Sequence, residues 1–344
     1  MRAAQISACG LPPVPADRPE PAPEAGWEPV RVLAAPITPL DLLCAGGASY
    51  FGAPAVPYVP GVQGVGQAGG RLVWFPTSAG MAPGDGSMAE VASARCEDLV
   101  ELPAGADPVA VAALGLSAVA AYMALTWRGE LAAGEQVIVL GAGGVVGQSA
   151  VQLARLAGAR RVIAAARSAT GRARAEQAGA DAVVALGTDG GSLGADGGSR
   201  GVSGGSRGAD AELGADDVAG LAARLSAACD GPADLVLDPL YGVPAAAAAR
   251  VLRPGGRLVN LGGSAGETSP LDSSTLRSRS LRVLGYTNNE LSREQRATAM
   301  GKVAELAAKG ELSVAHEAVP LAEIASAWNR QSTGTTSGRL VVTP

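Results

Sequence analysis

Hydrophobic and polar residues follow two different patterns along the chain, and the change between them comes near residue 110. Before it, short runs of apolar or alternating residues stand between prolines and glycines, which is typical of strands joined by turns. We expect these strands at residues 30–34, 64–67, 71–75 and 88–92. The first part of the chain therefore predicts an irregular β-barrel domain.

After residue 110, apolar strand-like runs alternate with helical segments. The predicted strands are residues 136–140, 161–165, 182–184, 235–237, 258–261 and 281–284. Strands that alternate with helices predict an α/β fold with a parallel, doubly wound sheet. The tail then predicts helices at residues 292–309 and 321–330 and a last strand at residues 338–342.

One segment follows neither pattern. Residues 187–217 consist almost entirely of Gly, Ser, Ala and Asp, and Gly-Gly-Ser-Arg-Gly occurs in them at 197–201 and 204–208. Such a composition cannot bury enough apolar surface to offset the entropy of ordering. We predict a flexible surface insertion after the third strand of the sheet, with a phosphate-binding role for its two arginines as the alternative.

The most informative motif joins the first strand of that sheet to the following helix. The sequence Gln136-Val-Ile-Val-Leu-Gly-Ala-Gly-Gly-Val-Val-Gly147 gives a buried strand, a glycine-rich turn and the start of a helix. This order matches a dinucleotide-binding βαβ unit, in which backbone N–H groups and a helix N-terminus face a pyrophosphate. A glycine-rich connection without a ligand is the alternative. The candidate contacts are Ala142, Gly143, Gly144, Val145, Val146 and Gly147.

The end of the second strand indicates which dinucleotide would bind. Proteins that bind NAD usually carry an acid there, whereas this chain has Ala166 followed by Arg167 and Ser168, with Arg172 nearby. A carboxylate would repel a 2′-phosphate, and an arginine would pair with it. We therefore predict NADPH as the cofactor, bound in part by Arg167, Ser168 and Arg172. The alternative is that these arginines are solvated residues at a helix start.

Composition narrows the class of protein. The 344 residues suggest two domains, and a net charge of −5 without a basic stripe argues against nucleic acid as a partner. The four cysteines have neither metal nor disulfide spacing, which fits a reduced, cytoplasmic protein. The N-terminus is typical of a first strand rather than a signal peptide. The apolar run at residues 109–125 predicts a buried helix rather than a membrane span.

These motifs resemble the medium-chain dehydrogenase/reductase superfamily, in particular its zinc-free quinone oxidoreductase and enoyl reductase branch. The resemblance implies a GroES-like β-barrel catalytic domain of residues 1–117 with 289–344, and a Rossmann NADPH-binding domain of residues 118–288. It also implies a homodimer that pairs the edge of the sixth strand. Besides the glycine-rich turn, the motifs that carry the resemblance to the superfamily are Thr38-Pro-Leu-Asp41, Val59-Pro-Gly-Val-Gln-Gly64, Asp234-Leu-Val-Leu-Asp-Pro239, Leu252-Arg-Pro-Gly-Gly-Arg-Leu258 and Gly338-Arg-Leu-Val-Val342.

The zinc-bearing branch of the superfamily holds its metal with a Cys, a His-Glu pair and a second Cys or Asp. The positions that resemble those ligands hold Thr38, Val62, Gln63 and a residue near Leu114, and the only histidine, His316, lies in the tail. Catalytic zinc needs about three protein ligands of N, S or O type. We therefore predict no metal, and the same scarcity of histidine excludes a Ser-His-Asp hydrolase.

Without a metal, the hydride acceptor must already be electrophilic, which a quinone or a conjugated enone, enal or enoyl ester is. The resemblance places Tyr50 near the nicotinamide, where its phenol either donates a proton or only covers the substrate. It places Thr38 opposite the nicotinamide, either as a ligand of the substrate carbonyl or as a core threonine that bonds backbone.

The resemblance also implies further cofactor contacts at two loops. Pro239 and Leu240, after the fourth strand, should face the nicotinamide ribose. Gly262 and Gly263, after the fifth strand, should let the backbone approach the carboxamide, as glycine permits.

The leading hypothesis is an NADPH-dependent, zinc-independent reductase of quinones or activated alkenes that acts on a small molecule and contacts neither nucleic acid nor a membrane. An enoyl-thioester reductase or a biosynthetic tailoring reductase is the alternative within the same chemistry. A non-catalytic NADPH-binding protein, as crystallin-type relatives show, is the alternative of another class.

Overall fold

The computed structural model describes residues 1–47, 49, 51–187 and 215–344. The predicted insertion therefore lies mostly outside the described residues. The described chain divides into two compact units. The first unit holds residues 1–116 and 292–344, and the second holds residues 117–187 and 215–291.

The strands, in chain order, are β1 (Arg2–Gln5), β2 (Val14–Asp17), β3 (Trp27–Pro36), β4 (Gln63–Ala68), β5 (Arg71–Pro76), β6 (Val91–Arg95), β7 (Val100–Glu101), β8 (Gln136–Leu140), β9 (Arg161–Ala166), β10 (Ala182–Ala185), β11 (Ala233–Asp238), β12 (Leu252–Asn260), β13 (Arg282–Gly285), β14 (His316–Pro320) and β15 (Arg339–Thr343).

The α-helices are α1 (Pro39–Ala45), α2 (Pro108–Met123), α3 (Val145–Leu156), α4 (Ala169–Gln177), α5 (Ala215–Ala228), α6 (Gly242–Ala249), α7 (Ser273–Ser278), α8 (Arg293–Ala308) and α9 (Ile324–Thr333). A turn of π-helix, Ala124–Arg128, extends α2, and a 3-10 turn, Leu321–Glu323, precedes α9.

The first unit is built on a sheet with the strand order β14-β15-β3-β4-β5-β7, to which β6 adds by pairing with β3. The tail of the chain returns to this sheet, because β15 pairs antiparallel with β3 at Val341↔Pro36 and Val342↔Ala35. The apolar core of the unit combines side chains from both segments, from Ile6 and Phe75 to Trp328. The segment 292–344 thus completes the fold that the first residues begin.

One predicted strand of this unit lies at a different place. Residues 88–92 were expected as one strand, but β6 begins at Val91. The residues before it pair with the start of the chain instead: the N–H of Ala4 donates to the carbonyl of Met88, and the N–H of Glu90 donates to that of Arg2. The segment therefore changes its strand partner near residue 91. Alternation of polar and apolar residues in the sequence does not predict such a change of partner.

The second unit is a six-stranded sheet with the order β10-β9-β8-β11-β12-β13. Every neighbouring pair in it is parallel. β8 is buried along its whole length, as expected of a strand covered by helices on both faces. The prediction of an α/β fold with a parallel, doubly wound sheet is confirmed.

One helical segment, Pro108–Arg128, is long and apolar enough to cross a membrane by length and composition. Within the protein, 67% of its most apolar window is buried, which is typical of a core helix. The helix is not continuous, because Gly115 interrupts α2 at φ 36° and ψ −139°.

Candidate functional site

The order of the strands in the second unit fixes where a ligand of this sheet binds. The chain leaves β8 toward one side of the sheet and later returns through β11 on its other side, so the strand order reverses between β8 and β11. In open α/β sheets, ligands bind outside the carboxyl ends of the strands at such a reversal. The turns after β8 and β11 therefore form the candidate site.

The turn after β8 is shaped by glycines that no other residue can replace. Gly141 has φ 62°, a conformation that side chains disfavour. Gly147 lies so close to the turn that a Cβ there would come 2.5 Å from the carbonyl oxygen of Gly141, and closer still to the Cα of Ala142. Helix α3 consequently begins directly against the turn.

The N-terminus of α3 is open to a ligand. Gly144 is its N-cap residue and provides no side-chain hydrogen bond. The first N–H groups of a helix have no partner within the helix, and the helix dipole favours negative charge there. Val145, Val146 and Gly147 carry the backbone N–H groups of this terminus, and their contact with a pyrophosphate stays a prediction.

The turn after β9 contacts the glycine-rich turn. A Cβ on Gly143 would lie 2.5 Å from the Cα of Gly171 in the first turn of α4. Ser168 is the N-cap residue of α4, and its hydroxyl accepts a hydrogen bond of 3.0 Å from the N–H of Gly171. Ala166 is buried at the end of β9, and Arg167 is exposed.

Two further arginines stand around this turn. Arg172 donates from Nη1 to the carbonyl of Arg167 at 2.7 Å. Arg174, which the sequence analysis missed, places Nη1 3.4 Å from the carbonyl of Gly143. The only available sequence signal was its position two residues after Arg172. Positive charge thus surrounds the end of β9, where an acid would favour NAD.

The loops after β11 and β12 lie beside the glycine-rich turn. A Cβ on Gly141 would meet Pro239 Cγ and Leu240 Cδ2, each at 3.1 Å. A Cβ on Gly262 would lie 2.8 Å from the carbonyl oxygen of Pro239. The structure therefore brings Pro239, Leu240 and Gly262 together with the turn, and Gly263 follows directly in the chain.

Asp238 ends β11 inside the protein. Burial raises the pKa of this carboxyl, although hydrogen bonds from the N–H groups of Tyr241 and Leu240 and from Asn260 oppose that effect. Its Oδ1 accepts from Leu240 N at 2.9 Å and from Tyr241 N at 2.8 Å.

In the first unit, Thr38 caps helix α1. Its hydroxyl donates to Asp41 Oδ2 at 2.6 Å and accepts from the N–H of Asp41 at 3.2 Å. Asp41 also accepts from the N–H groups of Gly61 and Val62. Burial raises the pKa of Asp41, and these hydrogen bonds act against the rise. This geometry gives Thr38 a capping role, and its predicted contact with a substrate carbonyl stays a prediction.

Gln63 occupies a second buried polar position of the first unit. Its Oε1 accepts from Trp74 Nε1 at 2.9 Å and from the N–H of Leu116 at 2.8 Å. The second bond falls one residue after the interruption of α2 at Gly115. Tyr50, the predicted proton donor, lies outside the described residues.

Comparison with known proteins finds related dehydrogenases and reductases. A family model described as a zinc-binding dehydrogenase matches residues 213–342. A quinone oxidoreductase of Lama guanicoe is 35% identical over 168 residues, which cover 45% of this chain and 49% of that protein. A spectinabilin polyketide synthase system protein of Streptomyces orinoci is 32% identical over 194 residues, which cover 54% of this chain and 8% of that protein. The chain thus spans about half the length of the quinone oxidoreductase it matches.

A solved structure matches over the whole chain. The quinone oxidoreductase from Thermus thermophilus, solved also in complex with NADPH, superposes with a TM-score of 0.75. It is 28% identical, and the match covers 100% of both chains.

The zinc in the description of the family model does not fit the residues of this chain. Val62 and Leu114 have no donor atoms, the hydroxyl of Thr38 is bound to Asp41, and Oε1 of Gln63 already accepts two hydrogen bonds. In the described part of the chain, no group of three or more His, Cys, Asp or Glu side chains is placed to hold a metal ion.

Proposed function

We propose that this chain is a member of the medium-chain dehydrogenase/reductase superfamily and an NADPH-dependent oxidoreductase that transfers hydride to a quinone or an α,β-unsaturated carbonyl compound. The quinone oxidoreductases among its relatives and the neighbour solved with NADPH support this proposal. We propose that its substrate is a small molecule and that it works in the cytoplasm as a homodimer.

The observation that carries the proposal is the set of turns at the carboxyl ends of β8 and β9. The open N-terminus of α3 offers backbone N–H groups to a pyrophosphate. Ala166 leaves the end of β9 without an acid, and Arg167, Arg172 and Arg174 surround it. A 2′-phosphate would find charge-assisted partners there, and the diol of NADH would not find a carboxylate.

When bound, NADPH would supply the hydride from its nicotinamide ring. The residues of the chain would bind the cofactor, orient it and provide a proton. In the proposal, Arg167 and Arg172 pair with the 2′-phosphate, and Tyr50 donates a proton to the reduced substrate.

The buried polar groups of the first unit limit the choice of substrate. Because Thr38 and Gln63 are engaged in hydrogen bonds and Val62 has no donor atom, the zinc-ligand positions cannot polarise a plain ketone. A quinone or a conjugated carbonyl compound needs no such help. This chemistry supports the substrate class of the proposal.

A second candidate is a reductase of enoyl thioesters or of another biosynthetic intermediate. The match to a segment of a polyketide synthase system protein favours it. A non-catalytic NADPH-binding protein is the candidate of another class, and it predicts tight binding without turnover.

The experiment that tests the function combines cofactor titration with a substrate panel. NADPH should bind about tenfold or more tightly than NADH, because a charge-assisted pair contributes roughly 1.5–3 kcal/mol. Arg167→Ala should reduce this preference, and Arg277→Ala, which removes an exposed arginine of α7, should not. Equal affinities in the unmutated protein would refute the choice of NADPH.

The substrate panel contains quinones, enones and enoyl thioesters, with NADPH oxidation as the readout. Turnover of quinones or enones supports the leading proposal, and turnover of enoyl thioesters alone supports the second candidate. Tight NADPH binding with no turnover of any acceptor would leave the non-catalytic protein.

A further inference from the structure

The carboxyl group of Asp238 is buried without a counter-ion. The residue is 0% exposed, and among the described residues no arginine or lysine contributes to its electrostatics. Burying an ionisable group without an opposite charge is costly unless hydrogen bonds satisfy it. The groups that hydrogen-bond this carboxyl at the end of β11 are therefore essential to its burial, and they lie in the loops after β11 and β12.

The loop after β11 depends on Asp238 for its shape. Asp238 Oδ1 accepts hydrogen bonds from the N–H groups of Leu240 and Tyr241 at 2.9 and 2.8 Å. Tyr241 has φ 59° and ψ −155°, a region that is almost restricted to glycine. A tyrosine keeps such a conformation only where its surroundings enforce it, and the bond to Asp238 does so.

Asn260 joins the loop after β12 to the loop after β11. Its Nδ2 lies 3.0 Å from Asp238 Oδ2 and 3.3 Å from the carbonyl oxygen of Asp238. The same nitrogen lies 2.8 Å from the carbonyl oxygen of Gly262. One amide group thus bridges the ends of β11 and β12, and we call these two side chains the Asp238–Asn260 bracket.

The loops that the bracket joins leave little freedom for movement. A Cβ on Gly262 would lie 2.8 Å from the carbonyl oxygen of Pro239, and the Pro239–Leu240 segment itself meets Gly141 of the glycine-rich turn. A shift of either loop therefore changes its distance to the other loop and to the turn.

We infer that the Asp238–Asn260 bracket positions the two loops that hold the nicotinamide end of the cofactor, so that Asp238 and Asn260 are positioning residues for hydride transfer. This inference rests on the proposed function. The hydrogen bonds of the bracket all fall within the loops after β11 and β12, whereas the proposed site of the adenosine end is at the turns after β8 and β9. It therefore acts on one half of the cofactor only.

The test compares NADPH with adenosine 2′,5′-bisphosphate, which carries the adenosine end and lacks the nicotinamide. Asn260→Asp removes both N–H donors of the bracket and sets two carboxyls against each other. Its affinity for NADPH should fall about tenfold or more, since a buried acceptor left unpaired costs roughly 1–3 kcal/mol. Its affinity for adenosine 2′,5′-bisphosphate should stay within about twofold of the unmutated value.

The swapped variant Asp238→Asn/Asn260→Asp separates positioning from stability. It restores a hydrogen bond between the two side chains and keeps their volume, but it offers no donor to the carbonyl of Gly262. Its melting temperature should recover toward that of the unmutated protein, and its NADPH affinity should not. Asn329→Asp, on the exposed face of α9, is the matched control and should change neither affinity.

Equal losses of affinity for NADPH and for adenosine 2′,5′-bisphosphate would overturn the inference, because the bracket would then only support the unit as a whole. Full recovery of NADPH binding in the swapped variant would also overturn it. If neither bracket variant folds, Asn260→Ala removes the same donors without adding a second carboxyl and must show the same selective loss. A failure of the proposed NADPH binding looks different, since the unmutated protein would then bind neither ligand, and a failure of the proposed catalysis would appear as binding without turnover.

Discussion

The carboxyl and amino ends of the strands in the six-stranded sheet form two edges, and different kinds of groups lie at each edge. At the carboxyl edge, the turn after β8 is made mostly of glycine, and the bracket joins the loops after β11 and β12. At the amino edge, Arg257 and Glu135 form a buried ion pair, and Arg253 pairs with Asp234. The carboxyl ends of these strands thus lie beside a helix N-terminus that no side chain caps, and their amino ends lie beside paired charged side chains.

Arg257 shows how complete the hydrogen bonding is at the amino edge. It is 3% exposed, and its Nε donates to the carbonyl of Gly129 at 2.5 Å. Its two Nη atoms donate to Glu135 and to the carbonyls of Asp234 and Glu130. A guanidinium whose five N–H groups all donate to protein acceptors has no donor left for a ligand.

The difference between the edges teaches where stability and binding lie in this unit. The amino edge satisfies its donors internally, so we expect its residues to stabilise the fold without affecting the cofactor. The carboxyl edge has the N-terminus of α3, which no side chain caps, so we expect its residues to affect binding more than stability. Changes at each edge can break or sharpen this division.

The largest expected effect comes from the amino edge. Arg257→Leu should lower the free energy of unfolding by roughly 3–5 kcal/mol, because removing one partner leaves Glu135 partly buried without its main cation. NADPH affinity of the folded fraction should stay unchanged. Denaturant unfolding and cofactor titration measure the two quantities.

Arg282→Ala is the matched control for that variant. Arg282 pairs with Glu130 at 3.0 Å, but both side chains are largely exposed. An exposed pair contributes about 0–1 kcal/mol. A similar loss of stability in both variants would show that burial does not distinguish the two ion pairs.

The next effect concerns binding at the carboxyl edge. Gly147→Val should weaken NADPH binding about a hundredfold or more, since its Cβ would displace backbone atoms of Gly141 and Ala142 that shape the pyrophosphate site. Gly220→Val, in α5 of the same unit, is the control, because its Cβ would meet only Arg224 Nη1 at 3.7 Å. Equal losses in both variants would contradict a specific need for close approach at Gly147.

A smaller effect should appear on acidification. Burial acts to raise the pKa values of Glu135 and Asp234, but hydrogen bonds, including those from Arg257 and Arg253, bring both below their usual values. A carboxyl with a lowered pKa in the folded state stabilises the protein above about pH 4 and loses that contribution as the pH falls through the folded value.

The free energy of unfolding should therefore be higher at pH 7 than near pH 3, and these two groups should contribute to that difference. Asp234→Asn should show a smaller loss on acidification than the unmutated protein. Asp238 should show the opposite sign, since burial raises its pKa and its contribution is lost as the pH rises above about 4. An unchanged acid loss in Asp234→Asn would contradict the account of the amino edge.

The sequence predicted the parts of this site that depend on local pattern. The strand at 136–140 has the observed bounds, and the following turn and helix were recognised because glycine and periodicity are read from adjacent residues. The missing acid at Ala166 was equally local. The parallel sheet followed from the alternation of strands and helices.

The parts that the sequence could not predict depend on contacts between distant residues. Arg174 reaches the carbonyl of Gly143 across 31 positions, and Asn260 reaches Asp238 across 22. Gln63 meets the N–H of Leu116 across 53 positions. No pattern of neighbouring residues carries such pairings, because the fold creates them.

The smallest expected effect comes from shortening the segment that follows the carboxyl end of β10. Deleting most of residues 190–215 should leave NADPH affinity and turnover within about twofold, because the segment has no apolar periodicity and loop length changes closure entropy only slowly. If binding at this edge depends on the short turns after β8, β9, β11 and β12, the deletion removes nothing that the cofactor needs. Titration of NADPH and the yield of soluble protein test this expectation. A large loss of affinity with normal yield would place part of the binding site, such as Arg200 or Arg207, in the insertion, and the carboxyl edge would then depend on a long segment as well as on short turns.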